Sequence, residues 1–211
     1  MPSAVKPAVS TIQIAKVAIG AQLGSFIDWY DFFLSSVVSA VVWPTVFFNF
    51  LSGSAALAAS IATYIASYFT RPVGALVFGH YGDRLGRRAV LIIVLTIGGG
   101  SILGTALTPG FAAIGAWGPG LLIAFRLMFG LALGGEFGGA QAWVTEFASR
   151  SKRRGLWNSL VLTALPLGIF AASAIFVVTI DVYGVKEFVA SAWRYPFLFG
   201  AAMRSEVRSR I

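Results

Sequence analysis

Five ionisable side chains of this chain stand inside apolar stretches. Asp28 and Asp31 lie in Gly24-Ser-Phe-Ile-Asp-Trp-Tyr-Asp-Phe-Phe, Arg71 precedes Pro72, and Arg126 and Glu136 sit in a run rich in Leu and Gly. An ionisable group at the centre of a membrane-spanning helix costs about 2.5–3.5 kcal/mol on insertion scales, so each needs a partner or a task. At i, i+3 the two aspartates share one helix face. Two carboxylates that close repel when both are ionised, which favours holding a proton near neutrality, and proton coupling needs that chemistry. Pairing of Asp28 and Asp31 with arginines, to lock a helix bundle, uses the same residues equally well.

Arg126 begins a ridge of Gly130, Gly134 and Gly138, spaced for close helix packing. Its guanidinium is expected to point inward, toward a carboxylate of the first helix or an anionic substrate. Glu136 falls on another face, where it either lines a cavity or bonds to backbone near the cytoplasmic end. Arg71 suits a moving part in a helix kinked by Pro72, or a structural salt bridge. Tyr30, with Trp29, Phe32 and Phe33, either closes a cavity or packs. Arg71 and Arg126 would suit carboxylate solutes; paired acids and aromatic rings would suit betaines through cation–π contact.

A second polar cluster, Gly79 to Arg88, carries Asp83, Arg84, Arg87 and Arg88 between the apolar runs 55–78 and 89–107. Three arginines against one aspartate place it on the cytoplasmic side, as a turn between two spans. Gly79 allows close helix approach and Gly86 a tight turn. Asp83 can sit at a helix N-terminus or pair with an arginine. Glu146, Arg153 and Arg154 are expected to join Asp83 and Arg84 in a cytoplasmic charge network; a bare positive-inside loop is the competing reading.

The elements that must position these groups are helices in a bilayer. Hydrophobic residues make up 57% of the chain and charged ones 11%, with mean hydropathy +0.82, which excludes an ordinary soluble domain. The absence of cysteine and the single histidine remove disulfides, thiolate chemistry and the usual metal sites. No enzyme, metal or cofactor is expected, since no nucleophile–base pair can be assembled. The net charge of +8 sits at helix ends, which argues for topology and anionic-lipid contacts and against nucleic acid. The N-terminal apolar stretch is too long and too charged for a cleaved signal peptide.

Spans are expected at 17–42, 55–78 (broken at Arg71-Pro72), 89–107, 120–144 and 157–180. An outer loop follows at 181–193, then an apolar stretch, 195–203, that reaches about half of a ~30 Å core. The expected organisation is a cytoplasmic arm (1–16), an all-α polytopic bundle (17–203) with five full spans and an incomplete sixth, and a basic cytoplasmic tail (204–211). Lys and Arg counts by side put the N-terminus in the cytoplasm of a plasma-membrane protein.

The pattern G-x-x-x-D-R-x-G-R-R over residues 79–88 resembles the signature loop between helices 2 and 3 of the major facilitator superfamily, where it latches the two halves of a transporter. Further matches are Asp28-Trp-Tyr-Asp-Phe, Arg71-Pro-x-Gly74-Ala-x-x-Phe-Gly79-His, Gly134-Gly-Glu-Phe-Gly-Gly-Ala, Arg153-Arg-Gly155 and Trp193-Arg-Tyr-Pro-Phe. Together they resemble the metabolite:proton symporter branch, which includes proline/betaine, α-ketoglutarate, citrate and shikimate carriers. The resemblance implies the N-terminal half of such a carrier, with the solute site at midplane between halves. Its implied partners are a small organic solute, protons, the lipid bilayer and a missing C-terminal half. A non-transporting sensor or assembly subunit on the same helices is the alternative. Asp28 stands where the branch commonly has Glu, and Phe129 where Gln is frequent. The run Thr163-Ala-Leu-Pro-Leu-Gly168 lacks the full antiporter signature, against drug:proton exchange.

Overall fold

Two long helices, α3 (Gly53–Leu85) and α6 (Trp117–Ala148), lie against each other along a seam of glycines. The computed structural model describes residues 11–148, 151 and 153–210, except the side chains of residues 11–13, 16, 17, 87, 88, 137–143, 146, 147, 154, 209 and 210. A Cβ on Gly130 would strike the Ser67 carbonyl, one on Gly134 the Arg71 carbonyl, and one on Gly74 the Leu131 carbonyl. Backbones therefore touch directly, the arrangement small residues permit between spanning helices. Gly138, third in the expected ridge, falls among residues whose packing is not described. Gly79 does not serve close approach to any described residue: a side chain there would meet nothing within 4 Å.

The remaining helices close round this pair. α1 (Thr11–Val41) packs on α8 (Ala164–Glu187), where Gly168 faces the Phe26 carbonyl. α4 (Arg87–Leu107) runs beside α6 and α9 (Arg194–Arg210), and Gly104 receives the Phe125 ring. Short helices α2 (Trp43–Val46) and α5 (Phe111–Ile114) cap two connections, and α7 (Arg154–Leu162) leads into α8. At the α2 end, the buried rings of Phe47, Trp193 and Phe197 meet edge to face, with centroids 6.0 and 5.8 Å apart. The exterior is apolar: Phe69, Leu76 and Phe170 are 77%, 76% and 73% exposed, a surface suited to lipid.

By length and composition alone, three described segments qualify as spans: Ala89–Leu107, Trp117–Glu136 and Gly155–Ala192. α1 and α3 look less apolar because their inward faces carry Asp28, Asp31, Ser35 and Ser39, and Ser60, Thr63 and Ser67. With them, α1, α3, α4, α6 and α7–α8 make the five spans and α9 the short sixth. No strand occurs among the described residues.

Several connections depart from expectation. The stretch 79–88 is not a loop: α3 runs to Leu85 and α4 starts at Arg87, leaving Gly86 to turn the chain at φ 91°, ψ 140°. At 33 residues α3 is ~50 Å long, so its charged end projects beyond a ~30 Å core. Pro72 does not break α3, which continues past the missing donor. The outer loop expected at 181–193 is largely helical; Gly184 alone leaves helical geometry, at φ 77°, and a π-helical turn, Phe188–Ala192, follows. The expected tail from Arg204 continues α9 to Arg210, because Phe197, Arg204 and Val207 recur on one buried face. Of the expected arm, residues 11–16 belong to α1 and 1–10 lie outside the described residues.

Substituting Gly134 by Ala should wedge α3 from α6 and cost about 1–3 kcal/mol through overpacking. Gly79→Ala, in open space, should be neutral or gain up to about 1 kcal/mol from helix propensity. Thermal unfolding of the detergent-solubilised variants decides between the two outcomes.

Candidate functional site

Asp31 and Arg126 come together where α1, α4 and α6 converge. The period of α1 puts Asp31 inward with Ser35 one turn on, and α6 presents Arg126 across from them. Arg126 Nη1 donates to Asp31 Oδ2 at 2.9 Å and to Ser35 Oγ at 2.6 Å, while Nη2 donates to Thr105 Oγ1 of α4 at 2.8 Å. Ser35 Oγ donates in turn to Asp31 Oδ2 at 3.3 Å. Both members of the pair are 1% exposed, so the bond is charge-assisted and shielded from water. Asp31 Oδ1 and Arg126 Nε, also buried, have no hydrogen-bond partner among the described residues.

One turn away, Asp28 faces a different cation. Arg204 of α9 donates through Nη1 to Asp28 Oδ1 and through Nη2 to Glu136 Oε2, the latter at 2.5 Å. Two glycines make room for this cluster. A Cβ on Gly98 would meet the Arg204 guanidinium, its nearest atom 2.6 Å away, and a Cβ on Gly24 would meet Glu136 Oε1. Of the two readings open for Asp28 and Asp31, the geometry has the arginine pairing: each carboxylate has its own guanidinium, and Asp28 is linked through Arg204 to Glu136. Phe129 lies between the clusters, its ring centroid 5.2 Å from the Arg126 and 5.9 Å from the Arg204 guanidinium carbon.

Beside the charged core a cleft of about 510 Å³ opens between α1 and α3, with α6 as its floor. Asp28, Trp29 and Phe32 line one wall, Tyr68, Arg71 and Pro72 the other, and Leu133 and Gly134 the base. Arg71 is half-buried, with its guanidinium carbon 4.3 Å from the Tyr68 ring centroid and 5.4 Å from that of Phe32. No described carboxylate forms an ion pair with it, and its buried Nε has no hydrogen-bond partner. Tyr30 is not in this cleft. It is buried, and its hydroxyl donates to the Pro196 carbonyl at 2.8 Å, tying α1 to α9.

The charge network expected around residues 79–88 falls largely outside the described side chains. Asp83, Arg84 and Arg153 are exposed, and no ion pair joins them. The side chains of Arg87, Arg88, Glu146 and Arg154 lie outside the described residues. Sequence reasoning missed Arg204 by assigning it to a solvated tail. Its place seven residues after Phe197, four after Gly200 and three before Val207, on one helical face, was the available signal. Among the described residues no cluster of His, Cys, Asp and Glu could hold a metal.

The family model described as "Sugar (and other) transporter" matches residues 17–205. The inner membrane metabolite transport protein YhjE of Escherichia coli is 37% identical over 89% of this chain and 42% of its own length. The shikimate transporter of Escherichia coli is 32% identical over 92% and 44%, and the proline/betaine transporter of Salmonella typhimurium 32% over 88% and 37%. The chain thus spans about two-fifths of the length of these curated relatives. The xylose transporter XylE of Escherichia coli, in a partially occluded inward-open conformation, superposes with a TM-score of 0.79 at 19% identity, over 93% of this chain and 48% of that one. That likeness concerns the fold.

Removing one member of a buried ion cluster leaves a naked charge, which costs about 3–5 kcal/mol, whereas neutralising the whole cluster costs far less. Arg204→Met is therefore expected to lower stability by about that amount. The triple variant Asp28→Asn, Glu136→Gln, Arg204→Met should recover most of it, read as the thermal midpoint in one detergent.

Proposed function

Because this chain belongs to the sugar (and other) transporter family of the major facilitator superfamily, we propose that it forms one wall of a secondary carrier moving a small organic acid or zwitterion with protons. The observation that carries the reading is the buried Asp31–Arg126 pair with an unused carboxylate oxygen. A proton on Asp31 Oδ1 cancels the charge that holds Arg126 and weakens a bond tying α1 to α6. Proton binding is thereby linked to the packing of two helices. In a carrier with two halves, that is the lever that alternate exposure of a midplane site requires.

The relatives named for metabolite, shikimate and proline/betaine transport support the solute class, and a solved structure of similar fold is described as a proton:xylose symporter. We place the protein in the cytoplasmic membrane with its N-terminus inside, from the distribution of Lys and Arg. The segment from Gly79 through Asp83, Arg84, Gly86, Arg87 and Arg88, with Glu146, Arg153 and Arg154, is assigned to a cytoplasmic latch against a second half. The sensor alternative gains nothing from relatives named as transporters.

In the complete carrier, Asp31→Asn is expected to abolish proton-driven accumulation while solute exchange continues. Uphill uptake by that variant would reduce Asp31 to a structural role. Proteoliposomes holding only these 211 residues should show no solute-driven proton flux, since a second half is needed to alternate the exposure of the site. A flux in that preparation would sink the two-half reading.

A further inference from the structure

The geometry points to Arg71 as the anchor for a solute carboxylate, and so to an organic anion as the class this cleft takes; the inference rests on the carrier reading above. The other charged groups at this depth are already engaged. Arg126 holds Asp31, and Arg204 holds Asp28 and Glu136. Arg71 alone among these arginines faces the cleft without an ion-pair partner and with a buried Nε that bonds to nothing described; Asp28 lines the same cleft, but its Oδ1 is taken by Arg204. A guanidinium presents paired N–H donors in a plane, the shape that two carboxylate oxygens accept.

The aromatic rings argue in the same direction. A quaternary ammonium would need a free ring face, yet those of Tyr68 and Phe32 already have the Arg71 guanidinium over them. A second cation there would also meet a like charge. The acids that would attract such a cation, Asp28 and Asp31, are each turned to an arginine. The cleft of about 510 Å³ offers a flat organic acid one cation, Arg71, and the ring of Trp29 on the opposite wall, where Asp28 is neutralised by Arg204.

The Arg71 carbonyl is held against Gly134 of α6, so the anchor stands on a fixed base. A carboxylate binding there keeps the guanidinium in place and covers it from reagents. Loss of the anchor is therefore readable at the residue itself.

The test is arginine-selective modification by phenylglyoxal of the full chain in lipid nanodiscs, followed at Arg71 by peptide mass spectrometry. Millimolar benzoate should slow modification of Arg71 several-fold, while glycine betaine at equal concentration leaves the rate unchanged. Absence of protection by benzoate, or equal protection by glycine betaine, overturns the inference. Calorimetric titration with benzoate supplies the second measurement. Arg71→Gln should weaken binding at least roughly ten-fold and Arg71→Lys less, because charge without the fork keeps part of the contact; unchanged affinity in Arg71→Gln overturns the anchor. Asp31→Asn should retain benzoate protection, so failure of proton coupling and failure of the anchor give different results.

Discussion

A charge in the bilayer interior must find its opposite, and this structure is arranged round that demand. Asp31 binds Arg126, and Arg204 binds both Asp28 and Glu136, so the contacts stitch α1, α6 and α9 together, with α4 drawn in through Thr105. Gly24 and Gly98 supply the space in which the carboxylate of Glu136 and the guanidinium of Arg204 lie. Such pairs contribute little net stability compared with a well-packed apolar substitute, because each ion has lost its water. They restrict the helices to registers in which these five charges are matched. Apolar helices alone would slide and rotate among many near-equal packings.

The glycine seam works by a different means. Between α3 and α6 the backbones themselves are in contact at Gly74, Gly130 and Gly134, so there is no side-chain layer to rearrange. The two helices behave as one unit. α1, by contrast, is joined to α6 through side chains whose attraction depends on ionisation. The structure therefore pairs a close-packed plate, α3 with α6, with a helix tethered to it by an ion pair. Arg71 belongs to the plate and Asp28 to the tethered helix, and the cleft opens between them.

The spans were legible because apolar runs of sufficient length are interrupted by charges and turn residues at regular places. The inward faces of α1 and α6 were legible too, since an aspartate or arginine in oil has few places to go. Partnership was not. Nothing in the spacing of Asp28 and Asp31 says that they meet separate arginines, one of them Arg204 of α9, 176 residues further along the chain than Asp28. The turns were read too long, because polar composition was equated with loop. Gly86 and Gly184, at positive φ, accomplish in one residue what the expected loops spread over about ten. Arg204 was misplaced for the same reason: a basic residue near a chain end was taken as solvated, although the burial period of its helix runs straight through it.

Phe129 determines how the two charge clusters relate. It occupies the position where the resembling branch often carries Gln, and its ring lies near both the Arg126 and Arg204 guanidinium groups. An amide there would offer a carbonyl to one guanidinium and an N–H to a carboxylate, joining the clusters into one hydrogen-bonded network. A phenyl ring has neither. It attracts each cation weakly through its face and transmits no proton between them. Asp31 and Asp28, though one turn apart, are thus separated in hydrogen-bonding terms and interact only through their fields. The Asp31–Arg126 pair joins α1 to α6 directly, while Arg204 joins Asp28 of α1 to α9 and, through Glu136, to α6, so the two clusters are independent tethers on one helix.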